Sequence, residues 1–245
     1  MGALNAGLWG GLAALSLLVG AVLAIKLRFS DKLIGAVMGF GAGALLSSIA
    51  YELVPESSIK GTGRWMALSF LLGAVTFFTA DRIIDGQGGE QRKAIAPGEA
   101  AGGSGTAIFL GTLLDGIPES LILGIGLATG GSISLAFLIA VFVSNLPEGI
   151  AGTRSLVAAG RSASHVYRMW LSLIAVSAVA SAGGFALVQA LPTADGSYAR
   201  AFAAGAVLTM LSDVMMPEAF EHGGKMVGIL ATLGYLSAAI LSVME

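Results

Sequence analysis

The chain has 245 residues, 56% of them hydrophobic and only 11% charged, with a mean hydropathy of +0.86 and a formal net charge of −2. Soluble domains carry roughly 25% charged residues, so this composition excludes an ordinary soluble protein and predicts one embedded in a lipid bilayer. Cysteine is absent, which excludes disulfide frameworks and thiolate metal sites; the net charge singles out no partner, and nucleic acid is not among those expected.

Walked with a window of about 20 residues, the sequence predicts eight membrane-spanning helices. The first, 4–25, lacks a charged leader and a small-residue cleavage site and reads as a retained span. Spans at 33–57 and 65–84 follow. Residues 85–104, DGQGGEQRKAIAPGEAAGGS, are glycine-rich, polar and aperiodic and predict a flexible loop. The remaining spans fall at 105–128, 132–158, 166–190, 199–220 and 224–244. A single membrane domain is thereby divided into 1–84, the loop 85–104, a central pair 105–158, and 159–245. The 36 glycines suit close helix contact, and the small-residue faces fit a homodimer as well as internal packing.

Basic residues set the expected orientation. Connections after the odd-numbered spans, with their flanks, hold Lys26, Arg28, Lys32, Arg82, Arg92, Lys93, Arg154, Arg161, Arg168 and Lys225, whereas the opposite side holds Lys60, Arg64 and Arg200. The positive-inside rule then puts the loop 85–104 in the cytoplasm and both termini outside the cell membrane.

Four of the six prolines are followed directly by glutamate: Pro55-Glu56, Pro118-Glu119, Pro147-Glu148 and Pro217-Glu218. Each pair has polar residues upstream, namely Glu52, Asp115, Ser144 with Asn145, and Asp213. A helical proline lacks an N–H donor and crowds the carbonyl four residues back, so Pro118 frees the carbonyl of Leu114 and Pro147 that of Val143. Freed carbonyls can ligate cations. Asp115 and Glu119 share one helix face, as do Asn145 and Glu148, and both pairs fall near the bilayer middle. Glu52 and Glu56 lie near the outer end of the second span, forming an outer mouth. Asp213, Glu218, Glu221 and His222 gather near the inner end of the seventh, forming an inner mouth.

SNLPEGIAG and DGIPES on consecutive spans, after a long loop in an eight-helix chain, resemble the paired fourth- and fifth-helix metal motifs of the ZIP family of divalent metal transporters. The resemblance covers the whole chain. It implies an all-α polytopic fold with a three-plus-two-plus-three inverted repeat and a mid-membrane transition-metal site. Carried over by position, it assigns the central site to Asp115, Glu119, Ser144, Asn145 and Glu148. Asp115 and Ser144 stand where relatives usually carry histidine or glutamine, and Gly116 where an asparagine is common. Glu52 replaces a frequent histidine, and Val214 occupies an often acidic position beside Asp213.

The expected function is therefore transport of a divalent ion (Zn, Mn or Fe(II)), with no enzymatic activity. A metal-sensing protein on the same fold that no longer transports is the alternative. Intramembrane aspartyl proteolysis, suggested by Asp115 and Asp213, lacks its glycine-x-glycine-aspartate signature. The central donors offer oxygen alone, which predicts a preference shifted from zinc toward harder ions.

Overall fold

Eight helices long and apolar enough to cross a membrane run through a computed structural model that describes residues 2–53, 56–89, 105–130, 133–190 and 196–245. They are α1 (Ala3–Lys26), α2 (Asp31–Ser48) with a π-helical turn Ile49–Leu53, α3 (Glu56–Ile84), α4 (Gly105–Gly130), α5 (Leu135–Ala158) and α6 (Ala163–Ala190). The seventh span is α7 (Ser197–Met210), a π turn Leu211–Met215 and α8 (Met216–Gly223); α9 (Met226–Met244) is the eighth. No strand occurs among the described residues. The chain is an all-α, multi-pass membrane protein.

Local chemistry explains several boundaries. Ser30 caps α2 by accepting a hydrogen bond from the Leu33 N–H, and Ser134 caps α5 by accepting one from that of Phe137. Gly160 and Gly224, at φ 78° and 70°, make the left-handed turns that reverse the chain between α5 and α6 and between α8 and α9. The second span stops at Leu53 rather than at residue 57, and Glu56 opens α3 instead of closing the helix before it. Of the expected loop 85–104, Asp85–Gly89 is a further π turn continuing α3, and 90–104 lie outside the described residues.

Helix packing repeats about an internal two-fold. Exchanging spans one with six, two with seven, three with eight and four with five preserves the principal contacts: α2 packs on α9 as α7 packs on α3, and α1 packs on α5 as α6 packs on α4. The same device makes the equivalent contacts. A Cβ at Gly43 would strike the Ala231 carbonyl and one at Gly234 that of Phe40; a Cβ at Gly205 would strike the Phe70 carbonyl and one at Gly73 that of Phe202. Backbones this close are what small residues allow in lipid, where dispersion rather than water exclusion drives helix association. The two π turns also correspond, each beginning six residues before the proline of a Pro-Glu pair. In the seventh span, widening the helix to the i→i+5 pattern accommodates the missing donor and the ring of Pro217.

The central pair, together with the second span, is the innermost part of the bundle. In the most apolar 18-residue stretch of each span, 72% of α5 and 61% of α4 is buried, against 17% of α3. Functional groups on α4 and α5 are thus shielded from lipid by the other helices.

Candidate functional site

Pro118 and Pro147 both lie inside continuous helices. α4 and α5 run antiparallel, and counted from their joined ends Glu119 lies about 16 Å down α4 and Glu148 about 20 Å down α5, at a rise of 1.5 Å per residue. The two carboxylates therefore sit at similar depth in the middle of the bundle, 2% and 3% exposed.

Between α1, α4, α5 and α6 is a cavity of about 10 Å³, room for one particle the size of a water molecule. Glu119, Asn145 and Glu148 line it together with the hydroxyl residues Thr112, Ser120 and Ser177. Three of the five expected central residues converge there. Asp115 and Ser144 are equally buried but outside the lining. Ser144 faces α2: its hydroxyl donates to the Val141 carbonyl at 3.0 Å, and its Cα would be 2.7 Å from a Cβ placed on Gly41.

Glycine contacts hold the α5 motif in place. A Cβ on Gly20 of α1 would stand 2.5 Å from the Leu146 carbonyl, and one on Gly149 would strike the carbonyl of Leu17. Gly149, directly after Glu148, thus lets α1 lie against the motif. The hydroxyl residues are additions to the sequence reading. Thr112, Gly116 and Ser120 stand at i, i+4 and i+8 on the helix face where Glu119 is i+7, so helical periodicity is a usable signal for them. Ser177 is one of several serines on α6, and nothing in that helix ranks it above the others.

At the bundle end that carries the α4–α5 connection, Glu52, Ser134, Arg200 and Glu245 line a cavity of about 410 Å³. Ser242 donates to the Glu52 carboxylate at 3.4 Å, and the Glu245 carboxylate accepts from the Ala136 N–H at 2.8 Å, adding to the cap on α5. Arg200 donates to the Thr129 hydroxyl. Leu53, Ile122, Leu123 and Phe137, all buried, form the floor. Leu123 lies one turn beyond Glu119 and Phe137 one turn before Val141, so a single apolar layer separates this vestibule from the central cavity. The Glu56 side chain is outside the described residues.

Towards the other end, Glu218, Glu221 and His222 bring their ligand atoms within 4.8 Å of one another. His222 Nδ1 is 3.3 Å from a Glu218 carboxylate oxygen. Asp213, in the π turn, is exposed and is not in this group.

No protein-family profile matches the sequence. The chain is 29% identical over 238 residues, 91% of its length, to a curated protein of Arabidopsis thaliana named "Putative zinc transporter", and the aligned stretch spans 36% of that relative. That relative's name agrees in kind with the transporter resemblance carried by the paired Pro-Glu motifs.

Proposed function

We propose that the chain carries a divalent metal cation across the membrane, and that Glu119, Asn145 and Glu148 hold the ion midway. The convergence of two buried carboxylates and a carboxamide on one small cavity carries this reading. An ionised carboxylate in a bilayer interior is costly, and a divalent cation between two of them neutralises both while drawing on their oxygens as ligands. The hydroxyls of Thr112, Ser120 and Ser177 complete an oxygen-rich wall. The relative's name points to the same class of cargo, with zinc as one candidate.

The vestibule beside Glu52 and Glu245 gathers cations on the outer side, and Glu218 with His222 receives them near the inner end. Asp115 and Ser144 support the site from behind its lining.

Replacing Glu119 or Glu148 by alanine is expected to abolish metal uptake in cells while leaving a folded protein in the membrane. Uptake at the wild-type rate in both variants rejects the central site. Metal-dependent thermal stabilisation of a purified protein that takes up none in cells would assign it to sensing instead. Orientation has its own test: cysteines introduced at Gly89 or Ser104 of this cysteine-free chain should resist impermeant thiol reagents in intact cells, and rapid labelling from outside would invert the topology.

A further inference from the structure

At the end of the bundle away from the vestibule, two cavities flank the turn between α5 and α6. The larger, about 420 Å³, lies between the last turns of α1 and α5 and is walled by Ala24, Ile25, Val157 and Ala158, with Arg154 and Arg161 at its polar margin. The smaller, about 280 Å³, lies between the first turns of α4 and α6 and is bounded by Phe109, Met169, His165 and, again, Arg161. One guanidinium therefore borders both, and neither lining contains a carboxylate.

Charge separates the two arginines. Arg154 is matched by Asp31 at 2.8 Å, whereas Arg161 is exposed and makes no ion pair with a described residue. Lys26, Arg28 and Arg168 stand at the same end of the bundle. The apolar walls are open as well: Ile25 is 39% and Val157 48% exposed, at helix ends where headgroups and acyl chains meet.

The geometry points to a binding site for one anionic phospholipid, its phosphate on Arg161 and its acyl chains lying along the two apolar flanks. Basic pockets between membrane helices recognise acidic headgroups in this way, and each basic residue near the membrane surface is worth about fivefold in binding. A free phosphate would engage the guanidinium but gain nothing from Ile25, Val157, Phe109 or Met169. The lipid uses both halves of the site, and its recognition is independent of which metal crosses the membrane.

The test is a titration of the purified full-length protein in detergent with phosphatidylglycerol or phosphatidylcholine, read as thermal stabilisation. The wild type should respond to phosphatidylglycerol at a concentration about fivefold or more below that needed for phosphatidylcholine. Arg161→Gln should bring the two lipids to near equality. Lys225→Gln removes a charge at the same end but outside both cavities, and should keep the preference. The proposal is overturned if Arg161→Gln retains the preference, if Lys225→Gln loses as much of it, or if inorganic phosphate alone reproduces the stabilisation.

Discussion

The α1–α5 and α4–α6 interfaces are symmetry mates built from one device, and they differ by one helical turn. On the α5 side the reciprocal glycine contact involves Leu146 and Gly149, which bracket Pro147-Glu148; on the α4 side it involves Leu121 and Gly124, which follow Pro118-Glu119. Backbone contact therefore closes tightly around the α5 motif and only beyond the α4 motif. The slack is left beside Glu119, where a Cβ on Gly116 would meet only the Ser177 hydroxyl, at 3.7 Å. A small offset within an otherwise repeated interface thus places the central cavity on the α4–α6 side, and it explains why hydroxyls from α4 and α6 line it while Ser144 of α5 does not.

The most severe way to break this contrast is at Gly149. A methyl group there meets the Leu17 carbonyl, which belongs to a backbone that cannot turn aside, so Gly149→Ala should force α1 from α5. Overpacking of this kind costs about 1–3 kcal/mol, and each kcal/mol lowers the melting temperature of a chain this size by about 2–4 °C. A thermal melt of the purified variant that matches the wild type would refute the tight interface. Gly116→Ala is the sharper counterpart. Its methyl fits, and it gains up to about 1 kcal/mol of helix propensity. Yet it intrudes on a cavity of only about 10 Å³. Uptake should fall by about tenfold, equivalent to about 1.4 kcal/mol of site affinity, in a protein that melts no lower than the wild type. Normal uptake would mean the ion does not pass beside Gly116.

Much of this was legible in the sequence, and the gaps have physical causes. Long apolar runs fix the eight spans because a bilayer admits few other solutions, and the Pro-Glu pairs mark Glu119 and Glu148 because proline and charge are both costly in lipid. The boundary at Glu56 was misplaced because hydropathy does not register that a helix resets at a proline. Asp115 shares a helix face with Glu119 and Ser144 enters by its place in the resembled motif, but neither a face nor a motif position says which neighbour covers a side chain; Gly41 of α2 decides that for Ser144. Ser177 was invisible for the same reason, since its partners lie on helices far away in sequence.

Comparing the centre with the two mouths gives a smaller effect. Glu52 lines an open vestibule, so in the proposed pathway its role is to raise local cation concentration, a contribution that salt screens. Glu52→Gln should lower uptake about two- to fivefold at low external metal, and the deficit should vanish at high ionic strength. Glu218→Gln should be similarly mild. A loss as complete as that of Glu119→Ala, persisting in high salt, would move Glu52 from the approach into the binding site.

The last effect is one of ratio rather than of rate. Zinc favours imidazole and thiolate ligands, whereas Glu119, Asn145, Glu148 and the hydroxyls of Thr112, Ser120 and Ser177 present only oxygen and a weak amide nitrogen to the cavity. Affinity still rises along the divalent series toward copper, so the oxygen set narrows zinc's advantage over manganese rather than abolishing it. Position then decides which histidine can restore that advantage. Asn145→His exchanges a planar carboxamide already on the cavity wall for an imidazole and should raise zinc binding relative to manganese by about tenfold. Asp115→His, one turn from Glu119 but outside the lining, should change the ratio little. Ser144→His has no room against Gly41 and should fail on stability before selectivity is reached. Competition titrations with both ions on the purified variants give the ratio directly. A wild type that binds zinc about a hundredfold more tightly than manganese, with no gain from Asn145→His, would overturn the oxygen-site reading and leave the slack beside Glu119 without a role in selectivity.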